Sequence, residues 1–206
     1  MIVSANGSDF KPVPEGTYVA VCIRVVDLGT QVTTYKGADK TQRKVLVVWE
    51  VPEVRVERDG EGEMPALIMQ RYTASLHEKA VLRKNLEAWR GRRFTDDELK
   101  GFDLKNIVGQ PCQIQILHSE ANGNVYANIA AIMAAPKGLP KPVPEHPLIN
   151  FSLDPGEFSE GIFGMLSDKL RATIEQSPEY KALTGGEPVR ERESFAHADM
   201  DDEIPF

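Results

Sequence analysis

A chain of 206 residues that is 41% apolar and 27% charged can hold one well-cored domain with appendages, or two small domains. It contains no apolar run of about 18 residues, so no membrane-spanning helix is expected. Its first residues, MIVSANGSDFKPVPEG, lack the basic start and apolar stretch of a secretory signal.

The net charge of −7 is unevenly placed. Residues 1–136 carry 17 Lys/Arg and 17 Asp/Glu, whereas residues 137–206 carry 7 and 14. An electrically balanced body with local clusters of bases remains compatible with a phosphate backbone. Cys22 and Cys112 sit far apart in apolar runs and read as reduced core residues. His77, His118, His146 and His197 show no metal-ligand spacing, so no metal site and no cofactor are expected.

Residues 1–15 read as a flexible lead-in ending at Pro12, Pro14 and Gly16. A first strand follows over Thr17–Leu28, with Val19, Val21, Ile23 and Val25 on one face and Tyr18, Ala20, Cys22 and Arg24 on the other. Gly29–Arg43 is polar and forms a long loop or hairpin arm. The second strand is Lys44–Val51, stopped by Pro52, and the charged connection 52–63 carries the turn signal Asp59-Gly60. Ala66–Thr73 is the third strand.

A helix comes next, with Ser75 and Glu78 at capping-box spacing and an apolar stripe of Leu76, Val81, Leu82, Leu86 and Trp89. Its bases read as a solvated face, and Gly91 ends it. A short helical turn starts at Thr95. Pro111–His118 and Val125–Met133 are the fourth and fifth strands, joined through the hairpin turn Asn122-Gly123.

Three strands, a helix and a two-stranded hairpin match the order of a mainly β, five-stranded Greek-key OB-fold barrel with its helix between strands 3 and 4. An α+β sandwich or an SH3-like barrel would use similar strands. The OB-fold domain spans 16–135. A proline-rich spacer covers 136–147, and a small helical extension covers 148–184, with caps at Ser167 or Asp168 and a turn at Ser177-Pro178. The extension is too small for its own core, so it packs on the barrel, on a second subunit or on a partner. Residues 185–206 read as a disordered acidic tail.

Single-strand binding needs bases along a groove and aromatic faces for stacking, the latter contributing about 1–3 kcal/mol per nucleobase. Tyr35, Lys36, Lys40, Arg43 and Lys44 form the best cluster. Arg71 with Tyr72, Tyr126, and Tyr18 with Arg24 are further candidates. Trp49 shares a face with Val45, Val47 and Val51 and reads as core before it reads as a stacking platform. No phosphate-loop glycines, paired histidines or activated nucleophile appear, so no catalytic residue is assigned.

The chain ends Asp201-Asp202-Glu203-Ile204-Pro205-Phe206. The acids steer toward a basic surface, the Phe ring suits a small apolar pocket, and the α-carboxylate can pair with an Arg. This tip resembles that of bacterial-type single-stranded DNA-binding proteins. With Arg43 to Pro52, Pro147 to Asp154 and Ser177 to Tyr180, the chain resembles the phage-encoded branch of that family, found in tailed phages.

The resemblance implies an OB-fold that coats single-stranded DNA in replication, recombination and repair in the cytoplasm of a bacterial host, recruiting partner enzymes through the tip. Homo-oligomers are possible, but the structured-looking C-terminal third sets aside the bacterial tetramer. Two other classes stay open: an adaptor of a replication or repair complex without significant DNA binding, and a metal-dependent nuclease.

Overall fold

The β-branched run after Gly16 forms the strand on which the sheet is built. The computed structural model describes residues 12–35, 38–58 and 62–185. Five long strands, β1 (Gly16–Tyr35), β2 (Ala38–Arg58), β3 (Gly62–Thr73), β4 (Pro111–Ala121) and β5 (Asn124–Ala134), lie in the order β3-β2-β1-β4-β5. All four neighbouring pairs are antiparallel. Helix α1 (Val81–Arg90) and the short α2 (Asp96–Lys100) fall between β3 and β4.

β1 is longer than its sequence suggests and does not keep one alternation. The register jumps between Cys22 and Arg24, and again between Asp27 and Gly29. A bulge places two residues opposite one, so side chains beyond it change face. Val25 therefore joins Ala20 and Cys22 in the core beneath α1, while Val26 and Leu28 join Val21 and Ile23 on the opposite face. The strict alternation expected through Val25 is corrected by that one extra residue. Burial pushes the Cys22 thiol up to about 12.

β2 runs straight past Pro52 instead of stopping there. The strand absorbs the proline in an irregularity between Val51 and Arg55, where a missing N–H interrupts no ladder. The polar segment after Gly29 is a hairpin arm, with Thr30 to Tyr35 pairing back onto Ala38 to Arg43.

Helix α1 starts at Val81, not after Ser75. The Ser75 hydroxyl instead accepts the His77 amide at 3.1 Å and closes a separate turn, a local bond that competes with helix. Gly91 ends α1 at φ 66°, a conformation that favours glycine. Leu82, Leu86 and Trp89 are buried. The Trp89 ring lies 6.0 Å from that of Trp49, so Trp49, 1% exposed, is core. Thr95 and Glu98 form the expected capping box of α2, and Asn122-Gly123 makes the β4–β5 turn with positive φ at both residues.

The C-terminal extension packs on the outer face of the sheet. β4 begins opposite Val21, which leaves the edge of β1 beyond that point unpaired by β4. A strand that the sequence did not reveal, β6 (Ile149–Phe151), occupies it, pairing in parallel with Arg24, Val25 and Val26. Helices α3 (Glu160–Gly164), α4 (Asp168–Glu175) and α5 (Pro178–Leu183) follow. Phe151, Leu153, Leu166 and Ile174 close over Val21, Ile23, Val26, Leu28, Leu46 and Val48. Phe151, Phe158, Phe163 and Tyr180 pack ring against ring around this second core. Among the described residues no helix is long and apolar enough to cross a membrane.

One buried charge fastens the spacer. Glu50 is fully buried on the outer face of β2. Its carboxylate accepts the backbone amides of Glu145 (3.0 Å) and His146 (2.9 Å) and meets His146 Nδ1 at 2.6 Å. A buried carboxylate persists only when its oxygens are so satisfied. Replacing Glu50 with Ala strands two amides and an imidazole in the interior. The expected cost is about 3–5 kcal/mol, read as a lower urea midpoint, whereas Glu120→Ala on the exposed end of β4 leaves the midpoint unchanged.

Candidate nucleic-acid interface

Alternation along β2 is unbroken from Lys40 to Val51, so Lys40, Gln42, Lys44, Leu46 and Val48 share the outer sheet face. Opposite them on β3, Thr73 faces Lys44, Arg71 faces Leu46 and Met69 faces Val48. Arg71 is exposed and Met69 is 57% exposed. The register thus brings Lys40, Lys44 and Arg71 onto one face, with Met69, Gln42 and Thr73 beside them. The last three were not singled out from the sequence; only the β2–β3 register places them there. Lys44 Nζ donates to Gln42 Oε1 and Thr73 Oγ1, both at 2.9 Å, which aims its charge along the root of the arm.

The arm extends this face. Val32, Thr33 and Thr34 are exposed and Lys40 is half-buried. Thr34 Oγ1 donates to Asp39 Oδ1 at 2.6 Å across the ribbon. Tyr35 is the last residue of β1, opposite Ala38. Lys36 lies outside the described residues, as does the tip Asp201, Asp202, Glu203, Ile204, Pro205 and Phe206.

Arg43 has another occupation. Its guanidinium is held by Asp27 and, at 2.7 Å, by Asp154 of the extension. Asp27 also accepts the amides of Gly29 (2.9 Å) and Leu153 (3.1 Å). The hydrogen bond to Asp27 keeps Arg43 charged well beyond its ordinary range. Its charge is consumed in joining β1, β2 and the extension.

Tyr72 lies on the inner face and is 3% exposed. Its hydroxyl donates to Gln70 Oε1 and accepts Asn85 Nδ2, and its ring has no open side for a base. Arg24 is half-buried where β6 joins β1. Tyr18 is half-buried against the inner core, donating to the Pro14 carbonyl at 3.1 Å. Tyr126 is 48% exposed opposite Ser119.

Because β4 runs from Val21 back to Gly16, the β4–β5 tip and the arm leave β1 at opposite ends. Tyr18 and Tyr126 therefore stand apart from the Lys40–Lys44–Arg71 face. The lead-in is fastened at that far end: Val13 is buried, and its carbonyl lies 2.8 Å from His118 Nε2.

Three of the bases around α1 are held in ion pairs by two carboxylates. Arg83 pairs with Glu87, and both Arg90 and Arg92 pair with Glu98. The Arg92 hydrogen bond, with the Thr95 amide next, holds the Glu98 carboxyl well below the usual carboxylate range. Among the described residues no cluster of three or more His, Cys, Asp or Glu is placed to hold a metal ion.

The extension grips the arm at its root. Glu179 Oε2 accepts the Thr30 amide at 2.8 Å and Oε1 accepts its hydroxyl at 2.5 Å. Desolvation opposes the Glu179 charge, but the two Thr30 bonds outweigh it and Arg43 adds to them, so the carboxyl is held low. A carboxyl depressed on folding stabilises above its unfolded value, about 4.3, and loses that contribution as pH falls through the folded one. Glu179→Gln should therefore lower the melting temperature at pH 7, the difference from wild type narrowing as the pH is taken below about 4.

No family model matches the chain, and no curated protein matches it either.

Proposed function

We propose that the chain is a non-enzymatic, non-sequence-specific single-stranded DNA-binding protein whose sheet is an OB-fold barrel. The observation that carries the reading is the strand order β3-β2-β1-β4-β5, with α1 packed against both β3 and β5, the two ends of that order. A helix inserted between strands 3 and 4 and plugging the gap between strands 3 and 5 is the OB-fold arrangement. On its outer face Lys40, Lys44 and Arg71 offer charge to a phosphate backbone. Arg71 and Met69 are exposed there and offer polarisable side chains to bases.

The acidic Ile-Pro-Phe terminus supports the second half of the reading, recruitment of replication and recombination enzymes. The body binds the strand, and the tail beyond it carries the address.

Both tryptophans are buried, so the suitable readout is anisotropy of a labelled oligo-dT and not intrinsic fluorescence. Oligo-dT should bind in preference to duplex of the same length, with a log–log salt slope of about −0.7 per neutralised phosphate. Equal affinity for duplex and single strand overturns the assignment. Deleting Ile204, Pro205 and Phe206 should abolish capture of the partner enzymes and leave strand affinity equal or slightly higher. A loss of strand affinity in that truncation counts against the division of roles.

A specific observation favours a second reading, an adaptor that grips protein. Arg43, Arg83, Arg90 and Arg92 are all committed to carboxylates, which thins the positive field a strand would meet. That reading predicts tail-dependent partner capture with no oligo-dT binding at any salt concentration.

A further inference from the structure

The extension does more at the arm than cover apolar surface. The hairpin arm leaves the sheet at the bulge between Asp27 and Gly29, and four separate contacts from the extension meet there. Gly29 has φ +68°, and a Cβ at that position would overlap the Cβ and Oγ of Ser177. Ser177 is itself fully buried, its hydroxyl donating to the Ile174 carbonyl at 2.7 Å and accepting the Tyr180 amide at 3.2 Å. The α4–α5 junction is therefore seated in a notch that only a glycine leaves open. Next along β1, Glu179 takes both the amide and the hydroxyl of Thr30. Gln31 Nε2 then donates to the Thr173 carbonyl of α4 at 3.1 Å. On the paired strand, Arg43 is tied to Asp154.

A two-stranded ribbon joined to its sheet at a bulge would swing about that point, because the bulge breaks the ladder that would otherwise stiffen it. Here both strands are fixed just beyond the bulge, at Thr30 and Gln31 on one side and Arg43 on the other. We infer that Glu179 is a positioning residue for strand binding: through Thr30 it sets the direction in which the arm leaves the sheet, and so aligns Lys40 with Lys44 and Arg71. The inference rests on the proposed single-strand function. It gives the extension a task in the binding step itself, since a pre-set arm loses less entropy when it closes on a ligand.

The test uses the full chain and two backgrounds, the wild-type arm and an arm in which residues 32–41 are replaced by an Asn-Gly turn. Cooperative thermal unfolding of each variant is checked first, and oligo-dT affinity is then read by anisotropy over a salt series. Glu179→Ala should weaken binding about tenfold, with a log–log slope shallower by about 0.7, the equivalent of the one phosphate contact of Lys40. In the shortened-arm background the same substitution should cause no further loss, because residues acting through one element are not additive. Thr30→Val, which removes one of the two bonds, should give a smaller loss in the same direction.

Unchanged affinity in Glu179→Ala, or an equal loss with and without the arm, overturns the positioning role while leaving strand binding in place. Failure of the wild-type chain to bind oligo-dT is a different result. It removes the functional reading and this inference with it.

Discussion

The middle of β1 is buried on both faces, and the rest of the molecule follows from how that burial is achieved. A strand in a five-stranded sheet ordinarily turns one face to the core and the other to water. Here Ala20, Cys22 and Val25 enter one core while Val21, Ile23, Val26 and Leu28 enter another. Alternation divides Ala20 to Ile23 between the two sides, and the bulge after Cys22 then turns Val25 to one core and Val26 and Leu28 to the other. That bulge also marks where β4 stops pairing, and so opens the edge that β6 fills. Without the extension, the outer face of β1 and β2 would present a broad apolar surface to water, a feature that soluble chains rarely leave uncovered.

The extension is held by polar contacts as specific as its apolar ones. Glu50 and His146 fix the spacer where it crosses β2, and Asp27 links Arg43 to the Leu153 amide. Apolar packing alone would allow α3, α4 and α5 to settle in several similar ways, since hydrophobic contact is not directional. A buried carboxylate that finds its partners in one arrangement only penalises the alternatives.

Much of this was legible in the sequence, and the exceptions share a cause. The strand runs, the Asn122-Gly123 turn, the Thr95–Glu98 cap and the Ser167 helix start are local signals, each read from a few neighbouring residues. β6 is three residues long and has no pattern of its own; it exists because an edge of β1 is vacant. Pro52 looked like a stop because the irregularity that accommodates it is a property of the β2–β3 pair. The candidate site divides the same way. Tyr35, Lys36, Lys40, Arg43 and Lys44 lie close together in the sequence, but the pairing of Arg43 depends on Asp27, 16 positions away, and on Asp154, 111 positions away. Met69 and Thr73 carry no sequence signal for a surface role, since it is cross-strand register that places them beside Lys44 and Arg71.

That redistribution of charge bears on how the chain would hold a strand. The sequence offers a dense basic cluster between Tyr35 and Lys44, and a dense cluster would give steep salt dependence. The structure ties Arg43 to Asp27 and sets Lys40, Lys44 and Arg71 on one face, interleaved with Gln42, Thr73 and Met69. For the proposed strand binding, bases spaced in this way imply a shallower salt dependence than a dense cluster would give. Asp27 and Asp154 of that neighbourhood are engaged with Arg43, and Glu179 with Thr30. The same carboxylates fix the root of the arm.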